Sequence, residues 1–229
     1  MAPNLARCFL IALFAGGCFD VEQRDADLAV EPFLVDDFER NTGIPPDGRF
    51  ERWSCYRFNP STPEGLLCSF EPHDEGQALV MDFTVTDVED GIQKFAGAGV
   101  STYTDSATID FSSYRKLVFS AILEGSTPAL PAGTIFYVEL GCRSVPLESP
   151  IAGGDRYVSL GVDLGGPTWS SHELSLTSFG QPAWHTNHLV GGAPACLRAV
   201  DSIAFAVSPN LMDGMSAAGK FQVDDIWFR

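Results

Sequence analysis

Basic residues are scarce in this chain. Its 229 residues include 14 lysines and arginines against 30 aspartates and glutamates, which gives a formal net charge of −16 at pH 7. Affinity for nucleic acid comes largely from lysine and arginine side chains that displace counterions from the phosphate backbone. An acidic surface repels that backbone. We therefore expect no nucleic-acid partner, and a surface that favours cations.

Long hydrophobic runs are also missing. The apolar stretch from Cys8 to Phe14 is far shorter than the roughly 20 residues that a membrane-spanning helix needs. With Arg7 before it and small residues after it, this stretch is typical of a signal peptide that covers residues 1–17. The sequence therefore predicts an exported protein.

The end of this signal, Ala15-Gly16-Gly17-Cys18, resembles the bacterial lipobox, in which the cysteine becomes the lipid-carrying first residue of the mature protein. Leucine is commoner at the position of Ala15, and ordinary cleavage near Gly17 with release of the protein is the alternative. Lipid on Cys18 implies an anchor in a bacterial membrane, with the outer membrane or the cell surface as the expected place. Residues 18–32 are then the lipidated cysteine and a short acidic tether.

Four cysteines remain after Cys18, and none of them forms a CxxC pair, which argues against a structural zinc site. An even number of cysteines in an exported chain predicts disulfides. Of the three possible connectivities, we favour Cys55 with Cys68 and Cys142 with Cys196.

No segment sustains a helical period for three turns. Strand-like runs instead alternate with clusters of Gly, Pro, Asn, Asp and Ser from Phe33 onward, so we expect one all-β domain over residues 33–229 built as two packed antiparallel sheets. The predicted strands are Phe33–Phe38, Ala78–Thr86, Gly97–Tyr103, Lys116–Leu123, Thr134–Cys142, Tyr157–Val162, Ser170–Ser175, Asp201–Ser208 and Lys220–Phe228.

Motifs for catalysis are absent from the sequence. It contains no GxSxG nucleophile elbow and no phosphate-binding glycine loop, and His172-Glu173 lacks the second histidine of the zinc-protease motif. Because the chain has so many acidic residues, some pair of carboxyl groups will lie at the separation found in glycosidase active sites. The number of carboxylates therefore gives no support for hydrolysis. We predict no catalytic residues and no enzyme activity.

Three segments together carry a family resemblance. Val35-Asp36-Asp37-Phe38-Glu39 is followed by Trp53, Ile109 to Phe119 enters a central strand, and Ile203 to Val207 precedes Phe221 to Ile226 at the end of the chain. In this order they resemble the carbohydrate-binding modules with the galactose-binding-like jelly roll, including the complex I intermediate-associated type. The resemblance implies a jelly-roll β-sandwich, and a shared fold does not transfer the ligand.

The jelly roll brings its first and last strands close together, so acidic residues near both ends of the domain are expected to meet. Asp37 and Glu39 would then face Asp224 and Asp225, with Asp36 beside them. Calcium suits such a group because it accepts six to eight oxygen ligands in flexible geometry. We therefore predict a structural calcium, with solvated or backbone-bonded carboxylates as the alternative.

Aromatic residues are the candidates for sugar binding, because a pyranose ring packs its C–H face on an aromatic ring. The candidates are Trp53, Tyr56, Tyr103, Trp169 and Trp184. We assign Trp53 to the core, since large aromatic residues in a small sandwich usually pack inside it. The predicted ligand-binding residues are Trp184, His185, Asn187, Trp169 and Tyr56, with the loop around Trp184 as the first choice for a binding edge.

These observations predict a membrane-anchored exported lipoprotein whose non-catalytic domain binds a carbohydrate, and we expect a monomer. The alternative is a structural or protein-interaction lipoprotein that docks onto an envelope protein and has no sugar ligand. An enzyme that acts on glycans is a third and weaker hypothesis.

Overall fold

A computed structural model describes residues 30–40, 44–58, 66–74, 76–86, 97–105, 107–125, 130, 134–149, 155–164, 167–183, 185, 187–208 and 216–229. Within them, the chain from Glu31 to Arg229 makes up one compact unit. The predicted signal peptide, Cys18, nearly all of the tether and Trp184 lie outside the described residues.

The described residues form eleven strands, one turn of 3-10 helix (Leu176–Ser178) and one short α-helix, α1 (Gly192–Leu197). The strands are β1 (Phe33–Asp36), β2 (Ser54–Phe58), β3 (Leu66–His73), β4 (Gly76–Thr86), β5 (Gly97–Tyr103), β6 (Lys116–Gly125), β7 (Ile135–Gly141), β8 (Tyr157–Val162), β9 (Ser170–Ser175), β10 (Ser202–Ser208) and β11 (Ser216–Phe228). In this part of the chain, no helix has the length and apolar character to cross a membrane.

Two antiparallel sheets make up the domain, which confirms the predicted all-β sandwich. The six-stranded sheet has the order β3-β4-β11-β6-β9, and β1 pairs with the last part of β11. The five-stranded sheet has the order β2-β5-β10-β7-β8. Phe33 pairs with Phe228 and Asp36 with Ile226, so the first and last strands lie side by side, as expected.

The core fills the space between the two sheets. In β10, Ile203, Phe205 and Val207 are fully buried and point between the sheets, because side chains alternate along a strand. The ring of Phe205 meets Phe119 of the opposite sheet at a centroid distance of 5.1 Å. Phe136 and Phe221 meet in the same way at 4.7 Å. Aromatic pairs from both sheets thus hold the sandwich together.

Trp53 belongs to this core, which confirms its assignment. Its side chain is buried, and its indole N–H donates a hydrogen bond to Oδ2 of Asp36 at 3.0 Å. The other carboxylate oxygen of Asp36 accepts a hydrogen bond from the backbone N–H of Phe38 at 2.9 Å. Asp36 therefore holds the first strand against Trp53 of the core and does not face solvent.

Two disulfides close the domain in the favoured connectivity. Cys55 pairs with Cys68 and joins β2 to β3, which are edge strands of the two different sheets. Cys142 pairs with Cys196 and joins the end of β7 to α1. By the chain-entropy model, loops of 13 and 54 residues give these bonds about 3 and about 4 kcal/mol of stabilisation.

The structure adds four elements that were not predicted from the sequence: β2, β3, the turn of 3-10 helix and α1. β2 and β3 are edge strands without a strict alternation of apolar and polar residues. β3 also contains Pro72, a residue that edge strands tolerate and that argues against a strand when the sequence is read alone.

Candidate functional site

The outer face of the five-stranded sheet has a floor of small residues. On β5, Ala98 and Val100 belong to the hydrophobic core, so the alternate residues Gly97, Gly99 and Ser101 point outward. The neighbouring strand β10 turns Ser202, Ala204, Ala206 and Ser208 to the same side. β5 and β10 therefore carry no large outward side chain until Tyr103 at the end of β5.

Tyrosines surround this floor. Tyr56 stands on β2 on one side, Tyr137 on β7 and Tyr157 on β8 on the other, and Tyr103 at the end of β5. The whole chain has 5 tyrosines, so four of them share one face of one sheet. Tyr103 is 38% exposed, and the other three are half-buried. We call these four residues and the floor between them the tyrosine face.

Tyr56 lies flat across β5. A Cβ atom at position 99 would be 2.5 Å from Cζ of Tyr56 and 2.7 Å from its hydroxyl oxygen, so the ring occupies the space that the missing side chain of Gly99 leaves open. The hydroxyl of Tyr56 donates a hydrogen bond to Oε2 of Glu139 on β7 at 3.4 Å. These two side chains meet above β10, which explains why Ala206 is fully buried although it points outward.

Glu139 is the acidic group of this face. Burial raises the pKa of Glu139 to about 7, the hydrogen bond from Tyr56 opposes this shift, and the nearby charge of Asp155 adds to it. Burial also raises the pKa of Tyr56 well above its usual range, with the charge of Glu139 as a further cause. The carboxyl group of Glu139 can therefore accept or donate a hydrogen bond near neutral pH.

One end of the tyrosine face carries an ion pair. The backbone N–H of Arg143 donates to Oδ2 of Asp201 at 2.7 Å, and Nε of Arg143 lies 3.3 Å from the same oxygen. The guanidinium of Arg143 also lies over Tyr103, with 5.4 Å between its Cζ atom and the ring centroid. Arg143 is thus held by a carboxylate and an aromatic ring of its own chain.

The loop that follows β9 borders the tyrosine face. Gly180 pairs with Ser159 of β8, and the ring of His185 meets Tyr157 edge-on at 4.7 Å. Asn187 is 4% exposed, and its side chain bonds the backbone N–H and C=O of Ser149 at 3.0 and 2.5 Å. Asn187 therefore has a structural role in the loop, while His185 stands beside the face.

The described residues of the predicted ligand-binding set are not gathered in one place. Trp169 immediately precedes β9 of the six-stranded sheet and stacks on His73 of β3, with 3.8 Å between ring centroids. Tyr56 is on the tyrosine face, His185 is next to it, and Trp184 stays a prediction outside the described residues. Tyr137, Tyr157 and Glu139 were not predicted as ligand residues, although Tyr137 and Glu139 stand at outward positions between core residues of β7.

The predicted calcium ligands make other contacts. Oδ2 of Asp224 lies 2.9 Å from Nδ1 of His73, and Oδ1 of Asp224 accepts the backbone N–H of Asp225 at 2.8 Å. Glu39 packs against Gly76, and Asp37 accepts the backbone N–H of Glu39 at 3.4 Å. Among the described residues, no three His, Cys, Asp or Glu side chains are grouped to hold a metal ion. This part of the structure therefore gives the predicted calcium no ligand set.

Solved structures with the same fold are known. A family 11 carbohydrate-binding module of a cellulosomal cellulase of Clostridium thermocellum matches with 19% identity and a TM-score of 0.53, over 87% of this chain and 94% of that one. A second structure, the family 11 module of that organism with a β-1,3-1,4-mixed-linked tetrasaccharide, matches with 18% identity and a TM-score of 0.52, over 86% and 94%. This chain has the β-sandwich fold of a carbohydrate-binding module. No protein-family model matches the sequence, and no curated protein matches it.

Proposed function

We propose that the tyrosine face binds a carbohydrate and that the domain is a binding module without catalytic activity. The observation that carries this proposal is the set of four tyrosines around a floor of glycine, serine and alanine. Tyrosine rings offer flat surfaces for the C–H faces of pyranose rings, and their hydroxyls bond sugar hydroxyls. Glu139 adds a further polar group between the rings, as ligand sites usually require.

The fold supports the same function. Carbohydrate-binding modules with this β-sandwich include one with a bound mixed-linkage tetrasaccharide. The fold alone does not choose a ligand, and the arrangement of residues on the tyrosine face therefore carries more weight than the likeness does.

Affinity electrophoresis in neutral polysaccharides, followed by calorimetry with oligosaccharides, tests this proposal. The protein is residues 19–229, which contain the whole compact unit from Glu31 to Arg229. Tyr103→Ala removes the most exposed ring of the tyrosine face and is expected to weaken binding about tenfold, or about 1.4 kcal/mol. Trp227→Ala is the matched control, because it removes an aromatic side chain near Arg229 on the six-stranded sheet.

Three results would contradict the proposal. The first is no binding to any glycan, which would favour the envelope-protein partner if such a protein co-purified. The second is equal loss of binding in Tyr103→Ala and Trp227→Ala. The third is loss of glycan binding in Trp169→Ala but not in Tyr103→Ala, which would place the site on the six-stranded sheet.

We also propose that lipid on Cys18 anchors the exported module to a bacterial membrane, so that the domain holds a glycan at the surface. The residues Ala15 to Cys18 support this, through their resemblance to a lipobox. Labelling cells with an alkyne fatty acid should mark the wild type and a Cys8→Ser control, and Cys18→Ser should lose the label. Labelled Cys18→Ser protein, or unlabelled wild type in the medium, would contradict the anchor.

A further inference from the structure

Glu139 is a carboxyl group in the middle of the tyrosine face and has no basic partner in the part of the chain that the structure describes. It occupies the same cross-strand row as Ser101, Ala204 and Ser159, so only small side chains flank it on the neighbouring strands. Its partner in the structure is the neutral hydroxyl of Tyr56. The charge that acts on Glu139 is the negative charge of Asp155.

The described part of the chain offers no free cation near Glu139. Arg143, at the end of the face, is engaged by Asp201 and lies over Tyr103. No Lys or Arg among the described residues forms an ion pair with Glu139. With a net charge of −16, the rest of the chain adds to the negative potential.

Ser101 is a second polar group on the tyrosine face. Ser101 is 1% exposed, and its Oγ has no hydrogen-bond partner among the described residues. It points outward from β5, one strand beyond Ala204 in the row of Glu139. Buried polar atoms are almost always hydrogen-bonded, so a ligand that supplies a polar group here satisfies the hydroxyl of Ser101.

Given the proposed carbohydrate site, on which this inference rests, we propose that Glu139 makes the tyrosine face select glycans by charge. A sugar with a free ammonium group binds best, a neutral sugar binds less well, and a sugar with a carboxylate binds worst. The ammonium supplies the opposite charge that the half-buried carboxylate lacks, and aromatic rings around it add cation–π attraction. The preferred ligand class is therefore an amino sugar that carries no acetyl group on its nitrogen.

Three β-1,4-linked tetramers test the charge order directly, because each of the two charged tetramers differs from the glucose tetramer in one substituent per ring. The probes are tetramers of glucosamine, glucose and glucuronic acid, titrated by calorimetry at about pH 7, where the carboxyl group of Glu139 is partly ionised and a bound ammonium favours its charged form. We expect the affinity to differ about tenfold between successive members of the series, since a partly buried ion pair is stronger than an exposed one.

Glu139→Gln keeps the shape and hydrogen-bonding capacity of the side chain and removes its charge. We expect this variant to bind the glucosamine tetramer about tenfold more weakly than the wild type does, and to lose most of the wild type's preference for that tetramer over the glucose tetramer. Glu173→Gln is the matched control, because it makes the same change in net charge at an exposed position on the six-stranded sheet. It is expected to leave all three affinities within about twofold.

A second measurement keeps the inference testable if the variant fails to fold. In wild type, the preference for the glucosamine over the glucose tetramer should shrink as salt rises from about 0.05 to about 0.5 M, because salt screens charge. Equal or tighter binding of the glucose or glucuronate tetramer, or no binding of the glucosamine tetramer, overturns the inference. If the wild type then binds a neutral glycan that Tyr103→Ala fails to bind, the proposed function stands and only the charge preference is wrong. If the wild type binds no glycan at all, the proposed function and the charge preference are both wrong.

Discussion

Gly99→Ala displaces one tyrosine of the tyrosine face without changing any tyrosine. The new methyl group would lie 2.5 Å from Cζ of Tyr56, far inside van der Waals contact, so the ring must leave its position across β5. Alanine suits a strand better than glycine by roughly 0.5–1 kcal/mol. Loss of the hydrogen bond between Tyr56 and Glu139 costs about 1 kcal/mol. These effects oppose each other, and stability should therefore change by no more than about 1 kcal/mol.

Binding should change much more than stability. Moving the ring of Tyr56 removes a flat contact for a sugar and leaves Glu139 without its hydroxyl donor, so we expect at least tenfold weaker binding, or about 1.4 kcal/mol. Calorimetry with the tightest-binding oligosaccharide measures the affinity, and urea unfolding measures the stability.

Gly161→Ala is the matched control for this prediction. It adds a methyl group to the same face, but the nearest side-chain atom, Cγ2 of Ile135, would be 3.6 Å away. The control should bind as the wild type does, within about twofold. Wild-type affinity in Gly99→Ala would refute the role of Tyr56, and a loss of stability well above 1 kcal/mol would refute the geometric reasoning.

Three further predictions concern stability. Between about pH 4.5 and pH 7, folded Glu139 holds a proton that the unfolded chain has lost, so Glu139 should lower stability by about 3 kcal/mol as pH rises through this window and should contribute no further change above it. Burial also raises the pKa of Asp36 to about 6, so in urea unfolding Glu139→Gln should keep part of the wild-type slope and lose the part that Glu139 supplies, and equal slopes in the two proteins would contradict this. Replacing Cys142 and Cys196 together by serine should cost about 4 kcal/mol, more than the loss of the shorter disulfide, and the reverse order in thermal unfolding would contradict the loop-entropy argument. Trp53→Phe should lower stability by about 2 kcal/mol, because it leaves a cavity and removes the indole donor to the buried carboxylate; an unchanged urea midpoint would contradict this.

Much of the fold follows from local sequence patterns. The predicted strands Gly97–Tyr103, Tyr157–Val162 and Ser170–Ser175 agree with β5, β8 and β9 in both bounds. Short strands between turn residues can be recognised because their signal lies within the strand itself. The order of strands in the sheets has no such local signal, because it depends on pairs such as β1 with β11 that lie far apart in the chain.

The site was harder to predict, because it depends on which aromatic residues the fold uses for packing. Trp169 looks like a ligand residue in the sequence, but its ring stacks on His73, a residue 96 positions earlier. Tyr137 and Glu139 offered a usable signal, since they alternate with the core residues Phe136, Val138 and Leu140 and therefore share the outward side of a strand. Recognising the floor of small residues required the pairing of β5 with β10, which the structure supplies.

A titration of isotope-labelled protein with the tightest-binding oligosaccharide, followed by amide NMR shifts, tests the central claim most directly. We predict that the largest shifts fall on outward positions of the five-stranded sheet, at Gly99, Ser101 and Ala204, and on the four tyrosines around them. The six-stranded sheet should change little, including Trp169 and His73. Large shifts on that sheet with none at Gly99 or Ser101 would contradict the assignment of the binding site to the tyrosine face.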